Sequence, residues 1–236
     1  MATNSLPNLP DDDAARLRSV RAFEVLPVLT EPLFDEFVAL TARIFNLPIS
    51  LISVVEEIDV HYPANFGLPG HTRQPRAEAL CSTAIVLARA VVYHDVALDV
   101  STIPEEALEA ALRNEVRFYA GALLHLPDQR PFGTLCVIDR QPRNFTTEEQ
   151  HVLELLAGLV SQTIAVRHLC YLHPESGEAR WATLSAELKE EVQALNALVR
   201  YLFVRHGSQM PVPADFLTQV ESRLRDLHTI LRDFKI

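Results

Sequence analysis

The chain has 236 residues, 48% of them hydrophobic and only 7 of them glycine, which supplies one sizeable core and excludes a low-complexity chain. Its net charge is −10, and from Trp181 onward seven Lys and Arg balance seven Asp and Glu, so the whole deficit lies in residues 1–180; an acidic domain without a basic stripe repels phosphate backbones and argues against a nucleic-acid partner. Three cysteines in no metal-ligand spacing point to a reduced, cytoplasmic setting, and neither a secretory signal nor an uninterrupted apolar run of membrane-spanning length is read.

Residues 1–15 read as a flexible tail, with Asp11 to Asp13 placed to cap the helix that follows. Leu17, Val20 and Phe23 give that helix its apolar side. Pro27 and Pro32 bracket a turn, Pro32 suiting a first helical position, and Leu33, Phe37, Leu40, Ile44 and Phe45 form the next helical stripe. Ile49 to Val55 is almost continuously apolar, the signature of a central strand covered on both faces. A shorter strand is expected around His61 and Tyr62, then a long irregular stretch from Pro63 to Pro75. Glu78 to Ala88 reads as a helix and Ala90 to Val96 as a strand. The run EEALEAALRN behind Pro104 is strongly helical in composition.

Val116 to Leu126 and Phe132 to Asp139 alternate with period two around a Pro-Asp-Gln-Arg-Pro turn, which predicts a hairpin. Gly121 and Gly133 inside it mark a bulge or a close backbone approach. A long helix begins at Thr146 or Thr147, where Thr146 and Glu149 form a capping-box pattern, and runs to about Leu172. Two further helices, about 181–205 and 214–234, form a hairpin. Leu188, Val192, Leu195, Val199 and Leu202 on one, and Leu217, Val220, Leu224, Leu227, Leu231 and Phe234 on the other, recur at coiled-coil spacings of three and four. That pattern predicts a homodimer through residues 181–236, with burial of both stripes within one chain as the alternative.

The phrases FYAGALL, GTLCVID and RQPRNF resemble the end of a GAF domain, the small-molecule sensing module of bacterial signalling proteins. RAFEVLPVLTEPLFDEF, IFNLPISLISVV and ALCSTAI resemble the same family in the same order, so the resemblance covers roughly residues 16–170. It implies an α/β (α+β) fold with a central antiparallel sheet of five or six strands and flanking helices over 16–172, plus the C-terminal helical hairpin as a dimerisation or output element. The helical crossover at 99–114 departs from the short loop of relatives, at a wall of the usual pocket.

The resemblance further implies pocket-lining positions at Cys81, Thr83, Tyr93, Asp95, Arg117, Tyr119 and Cys136. Whether Tyr93 and Tyr119 line an open pocket or cap the sheet edge stays open at this point. Relatives that reduce free methionine sulfoxide carry their nucleophilic cysteine in the crossover, and residues 99–115 contain none. Cys81 and Cys136 therefore read first as small core residues. Bilin-binding relatives follow the attachment cysteine with histidine, whereas Ser82 follows Cys81 and Tyr171 follows Cys170. An NKFDE-like cyclic-nucleotide motif is not found. His61, His71 and His94 stand near the expected pocket mouth without metal-site spacing, and His228 lacks the acidic neighbour of a phospho-accepting histidine. The expectation is a non-enzymatic cytoplasmic sensor that binds an unidentified small molecule, with no cofactor assigned and neither nucleic acid nor membrane as partner. The alternatives are a redox-active enzyme of the methionine sulfoxide reductase type using Cys81 and Cys136, and a ligand-free dimerisation adaptor.

Overall fold

The computed structural model describes residues 12–207 and 210–234. Three helices open the chain: α1 (Asp13–Ala22), α2 (Val25–Leu29) and α3 (Pro32–Ile44). The tail expected over 1–15 thus already gives way to helix at Asp13, and residues 1–11 lie outside the described residues. Asp12 stands at the N-cap of α1 but makes no side-chain cap bond; its carboxylate faces Arg130 at 3.5 Å, while Asp13 pairs with Arg16 and Arg76. The turn expected between Pro27 and Pro32 lies at Thr30 and Glu31, whose amides donate to the Pro27 and Val28 carbonyls. Pro27 itself sits inside the one-turn helix α2, whose short length needs no amide from it. Pro32 occupies the first turn of α3, as expected.

Six strands follow, β1 (Ile49–Val55), β2 (Asp59–Phe66), β3 (Arg73–Pro75), β4 (Val91–Tyr93), β5 (Phe118–His125) and β6 (Pro131–Asp139). They form one antiparallel sheet in the order β3-β2-β1-β6-β5-β4. β1 is central and buried at every residue, because helices cover both faces. The expected irregular stretch at 63–75 is shorter than read: β2 continues to Phe66, pairing with Ser50, and Arg73–Pro75 adds the edge strand β3. Conversely β4 keeps only three residues of the expected 90–96 run.

The short helix α4 (Leu80–Leu87) and the crossover helix α5 (Glu105–Arg113) cover one face of the sheet. On the other lie α3 and α6 (Thr147–Tyr171), and α6 carries the full Thr146–Glu149 capping box. α6 is long and apolar enough by length and composition to cross a membrane, although Glu154 and Arg167 interrupt its apolar run, and half of its most apolar window is buried inside this fold.

The last two helices, α7 (Gly177–His206) and α8 (Ala214–Asp233), do not stand apart as an appendage. α7 packs on α3 and α8 on α6. Leu188, Val192, Leu195, Val199 and Leu202 of α7 are buried, as are Leu217, Val220, Leu224, Leu227 and Leu231 of α8. Both leucine seams thus join the same core as β1 and β6. This is the arrangement in which both stripes are buried within one chain, covering the apolar backs of α3 and α6.

Candidate functional site

Between the sheet and the pair α4 and α5 lies a cavity of about 140 Å³. Its floor is the sheet face formed by Ile49 and Leu51 of β1, Tyr62 of β2, Tyr119 of β5 and Ile138 of β6. The walls are Leu80 and Cys81 at the start of α4, Ala110, Ala111 and Asn114 at the end of α5, and the segment carrying Leu68, His71, Gln74 and Glu78. The chain builds the latter wall by local bonds: Asn65 Nδ2 donates to the Leu68 and His71 carbonyls at 2.7 and 2.9 Å, and the His71 ring stacks on Tyr62 with centroids 4.9 Å apart. Gln74 donates to the Glu78 carbonyl at 3.1 Å. Arg113 of α5 reaches Glu78 at 2.8 Å, and so ties the crossover to the opposite rim. A mostly apolar space with a few polar groups is what a small-molecule site requires.

Beneath Cys81 the sheet carries polar residues where an apolar floor is the default. Ser53 Oγ and Thr134 Oγ1 lie 2.9 Å apart, and the Thr134 amide donates to Ser53 Oγ at 2.9 Å. The Tyr119 hydroxyl stands 3.4 Å from Thr134 Oγ1. Gly121 makes room for that ring, since a Cβ there would lie 2.4 Å from the hydroxyl oxygen. Cys81 and Cys136 meet over this cluster as free, buried thiols. The Cys136 thiol, donating to Cys81, pulls the latter down to about 6; burial opposes this, and the hydroxyls of Thr134, Tyr119 and Ser53 add to the pull. Cys136 is correspondingly held well above the ordinary thiol range by Cys81 and by burial. One proton thus leaves the pair early and the other late. Burial, reinforced by the two thiols, also pushes the Tyr62 and Tyr119 phenols up.

The seven residues singled out from the sequence separate into three groups. Cys81 and Tyr119 line the cavity, with Cys136 directly behind Cys81. Tyr93 belongs to the same core face, its hydroxyl turned toward Thr83 and Thr102, and Thr83 is buried in α4. Tyr93 opens instead toward a separate hollow lined by Leu87, Arg89, Asp99 and Thr102. Asp95 and Arg117 do not reach the cavity. Arg117 clamps Asp95 with two bonds of 2.9 and 2.6 Å, which holds the Asp95 carboxyl below its usual range and secures the turn after β4 to the start of β5. Ser53, Thr134 and Tyr62 were missed. Ser53 and Thr134 were visible as polar breaks in apolar strands, but only the register that sets Ser53 against Thr134 brings them under Cys81.

The GAF domain family profile matches residues 30–165. A protein of Pseudomonas aeruginosa named cyclic di-GMP phosphodiesterase is 30% identical over 229 residues, which is 96% of this chain. The chain spans 36% of that protein's length. The expectation of a non-enzymatic protein is corrected by this match, because a relative that shares nearly the whole chain is named as an enzyme. Among solved structures, the PixJ GAF domain of Thermosynechococcus elongatus in its blue-light absorbing form is similar with a TM-score of 0.51 at 17% identity, covering 68% of this chain and 95% of that one. The free methionine-R-sulfoxide reductase of Neisseria meningitidis with its substrate has a TM-score of 0.47 at 19% identity, over 68% of this chain and 98% of that chain.

Proposed function

The chain belongs to the GAF domain family, and from that premise we propose that it is the sensor module of a cyclic di-GMP signalling protein, binding a small molecule in the cavity under α4 and α5. The observation that carries this reading is the cavity itself, enclosed by a crossover helix pinned across it through Arg113 and Glu78. Its volume of about 140 Å³ falls below the roughly 300–1,000 Å³ of drug-sized sites, so the ligand is small and is not a cyclic dinucleotide. The relative whose name supplies the signalling context aligns through the C-terminal helices as well as the GAF core. Ligand occupancy therefore has a path outward, from the sheet floor through α3 and α6 to α7 and α8.

The test is native mass spectrometry of gently purified protein beside an Ala111→Trp variant, in which indole fills the cavity. A co-purifying small molecule in the wild type and its loss in the variant are expected. A ligand at a hundred times its dissociation constant adds about 2.7 kcal/mol of stability, so the wild type should also melt at lower temperature after the ligand is dialysed away. Equal ligand content in the two proteins would place the ligand elsewhere and sink the reading.

A further inference from the structure

We propose that Cys81 and Cys136 are a hydroperoxide-responsive dithiol, in which Cys81 at the cavity wall is the attacking sulfur and Cys136 behind it is the resolving one. Three placements carry this assignment. Cys81 stands in the wall of a cavity large enough for hydrogen peroxide, whereas Cys136 is fully buried and does not line it. Cys81 is the second residue of α4, where the positive end of the helix dipole favours a negative sulfur. Beneath it the hydroxyls of Ser53, Thr134 and Tyr119 converge from three adjacent strands, a polar floor in an otherwise apolar sheet face. A cysteine kept only for packing needs none of these. The third cysteine is the internal contrast: Cys170 is buried near the end of α6, away from Cys81 and Cys136, and burial pushes its thiol up.

The chemistry balances with peroxide as the only co-reactant. The Cys81 thiolate attacks one peroxide oxygen, the O–O bond breaks, and the departing hydroxide takes up a proton to become water. Cys81 is left as a sulfenic acid. The Cys136 sulfur then attacks the Cys81 sulfur, the S–O bond breaks, and the hydroxyl leaves with the Cys136 proton as a second water. Two thiols have lost two electrons in total, one disulfide has formed, and a thiol reductant restores the pair. The inference stands apart from the ligand reading, since a dithiol that oxidises in an empty cavity would satisfy it.

The rate has a calculable direction. At pH 7 a thiol lowered from 9 to about 6 gains roughly ninetyfold in thiolate, while its weaker nucleophilicity gives back about twentyfold, which leaves Cys81 roughly fourfold faster than an ordinary thiol. The experiment treats the reduced full-length chain with hydrogen peroxide, blocks remaining thiols by alkylation and maps the peptides without reduction. We expect a Cys81–Cys136 disulfide that dithiothreitol reverses, with Cys170 still alkylated. In Cys136→Ser a 1,3-dione should trap the sulfenic acid on Cys81, which has lost the second sulfur that would resolve it. Should the serine variant not fold, disulfide mapping in the wild type decides alone. Three free thiols after a dose that oxidises glutathione, or oxidation that falls first on Cys170, would overturn the assignment.

Discussion

Arg16 is almost fully buried, and its guanidinium bonds the Val55 carbonyl and the Asp13 carboxylate, each at 2.7 Å. Arg76 comes to the same carboxylate at 2.9 Å from beyond β3, so Asp13 joins α1 to both ends of the β1–β3 ribbon. Although burial pushes the Asp13 carboxyl up, bonds from Arg76 and Arg16 win and hold it below the ordinary aspartate range. A carboxyl depressed in the folded state contributes stability that is complete above the unfolded value and lost as pH falls through the folded one. The contribution of Asp13 is therefore present above about pH 4 and disappears below it. Asp13→Asn should lower stability by about 3 kcal/mol at pH 7, because it strands a buried guanidinium. The gap between wild type and variant in urea melts should close as the pH drops below 4; a gap independent of pH would sink this account. Gly121 offers a second test at this scale. Gly121→Ala puts a Cβ 2.4 Å from the Tyr119 hydroxyl, so the ring must leave Thr134 and Cys81. Alkylation of Cys81 as a function of pH should then show its thiol titrating higher than in the wild type, as it also should in Tyr119→Phe. An unchanged profile in both variants would remove Tyr119 from the thiol's surroundings.

Among the elements, α5 is held least firmly. It fully buries only Ala107, Ala110 and Ala111, with Leu108 partly buried beside them, and each alanine withdraws far less apolar area than the leucines and phenylalanines under α3. Its outer anchor is the exposed Arg113–Glu78 pair, worth under about 1 kcal/mol. Hydrogen exchange in 105–113 should therefore run faster than in β1, and slow when the cavity is filled; protection equal to that of Ile49–Val55 in the empty protein would contradict it. The helix itself was legible in EEALEAALRN, as were β1 from its unbroken apolar run and the α6 start from Thr146 and Glu149. What escaped the sequence was decided by partners distant in the chain. β3 exists because Arg73–Pro75 finds the free edge of β2 at Asp59–His61, and no local pattern in Arg-Gln-Pro announces a strand. Of the seven proposed site residues, Asp95 and Arg117 were misplaced for the same reason: their pairing to each other, which no spacing of 22 residues reveals, keeps them out of the cavity.

For the whole molecule the deciding fact is how α7 and α8 sit. Polar joints tie them to the core beside their buried leucines. Glu149, fully buried, takes Arg143 at 2.6 Å and also the Val212 amide at 3.1 Å, so the capping residue of α6 holds the link before α8. His228 sits between Gln162 at 2.8 Å and the Leu155 carbonyl at 3.0 Å, with its ring 3.4 Å from where a Cβ at Gly158 would stand. Arg43 reaches Asn196 at 2.9 Å, and Glu31 accepts from Arg167 and from the Trp181 indole, joining α3, α6 and α7. A detachable dimerisation hairpin would leave a folded monomer when removed. Here removal of residues 181–236 uncovers the apolar backs of α3 and α6 together. Each core leucine lost forfeits about 1.5–3 kcal/mol, against a net stability of only about 5–15 kcal/mol for a whole domain. The truncated chain is therefore expected to aggregate, or to lose its cooperative melt while keeping helical circular dichroism. In the intact chain, Leu224→Asp sets a carboxylate in a fully buried position. It should lower the melting temperature sharply through lost burial and desolvation cost, and light scattering on the fraction that remains folded should give the wild-type mass. A truncated chain that melts cooperatively near the wild-type temperature, or a Leu224→Asp protein that keeps its stability but halves its mass, would return the hairpin to the role of an assembly element.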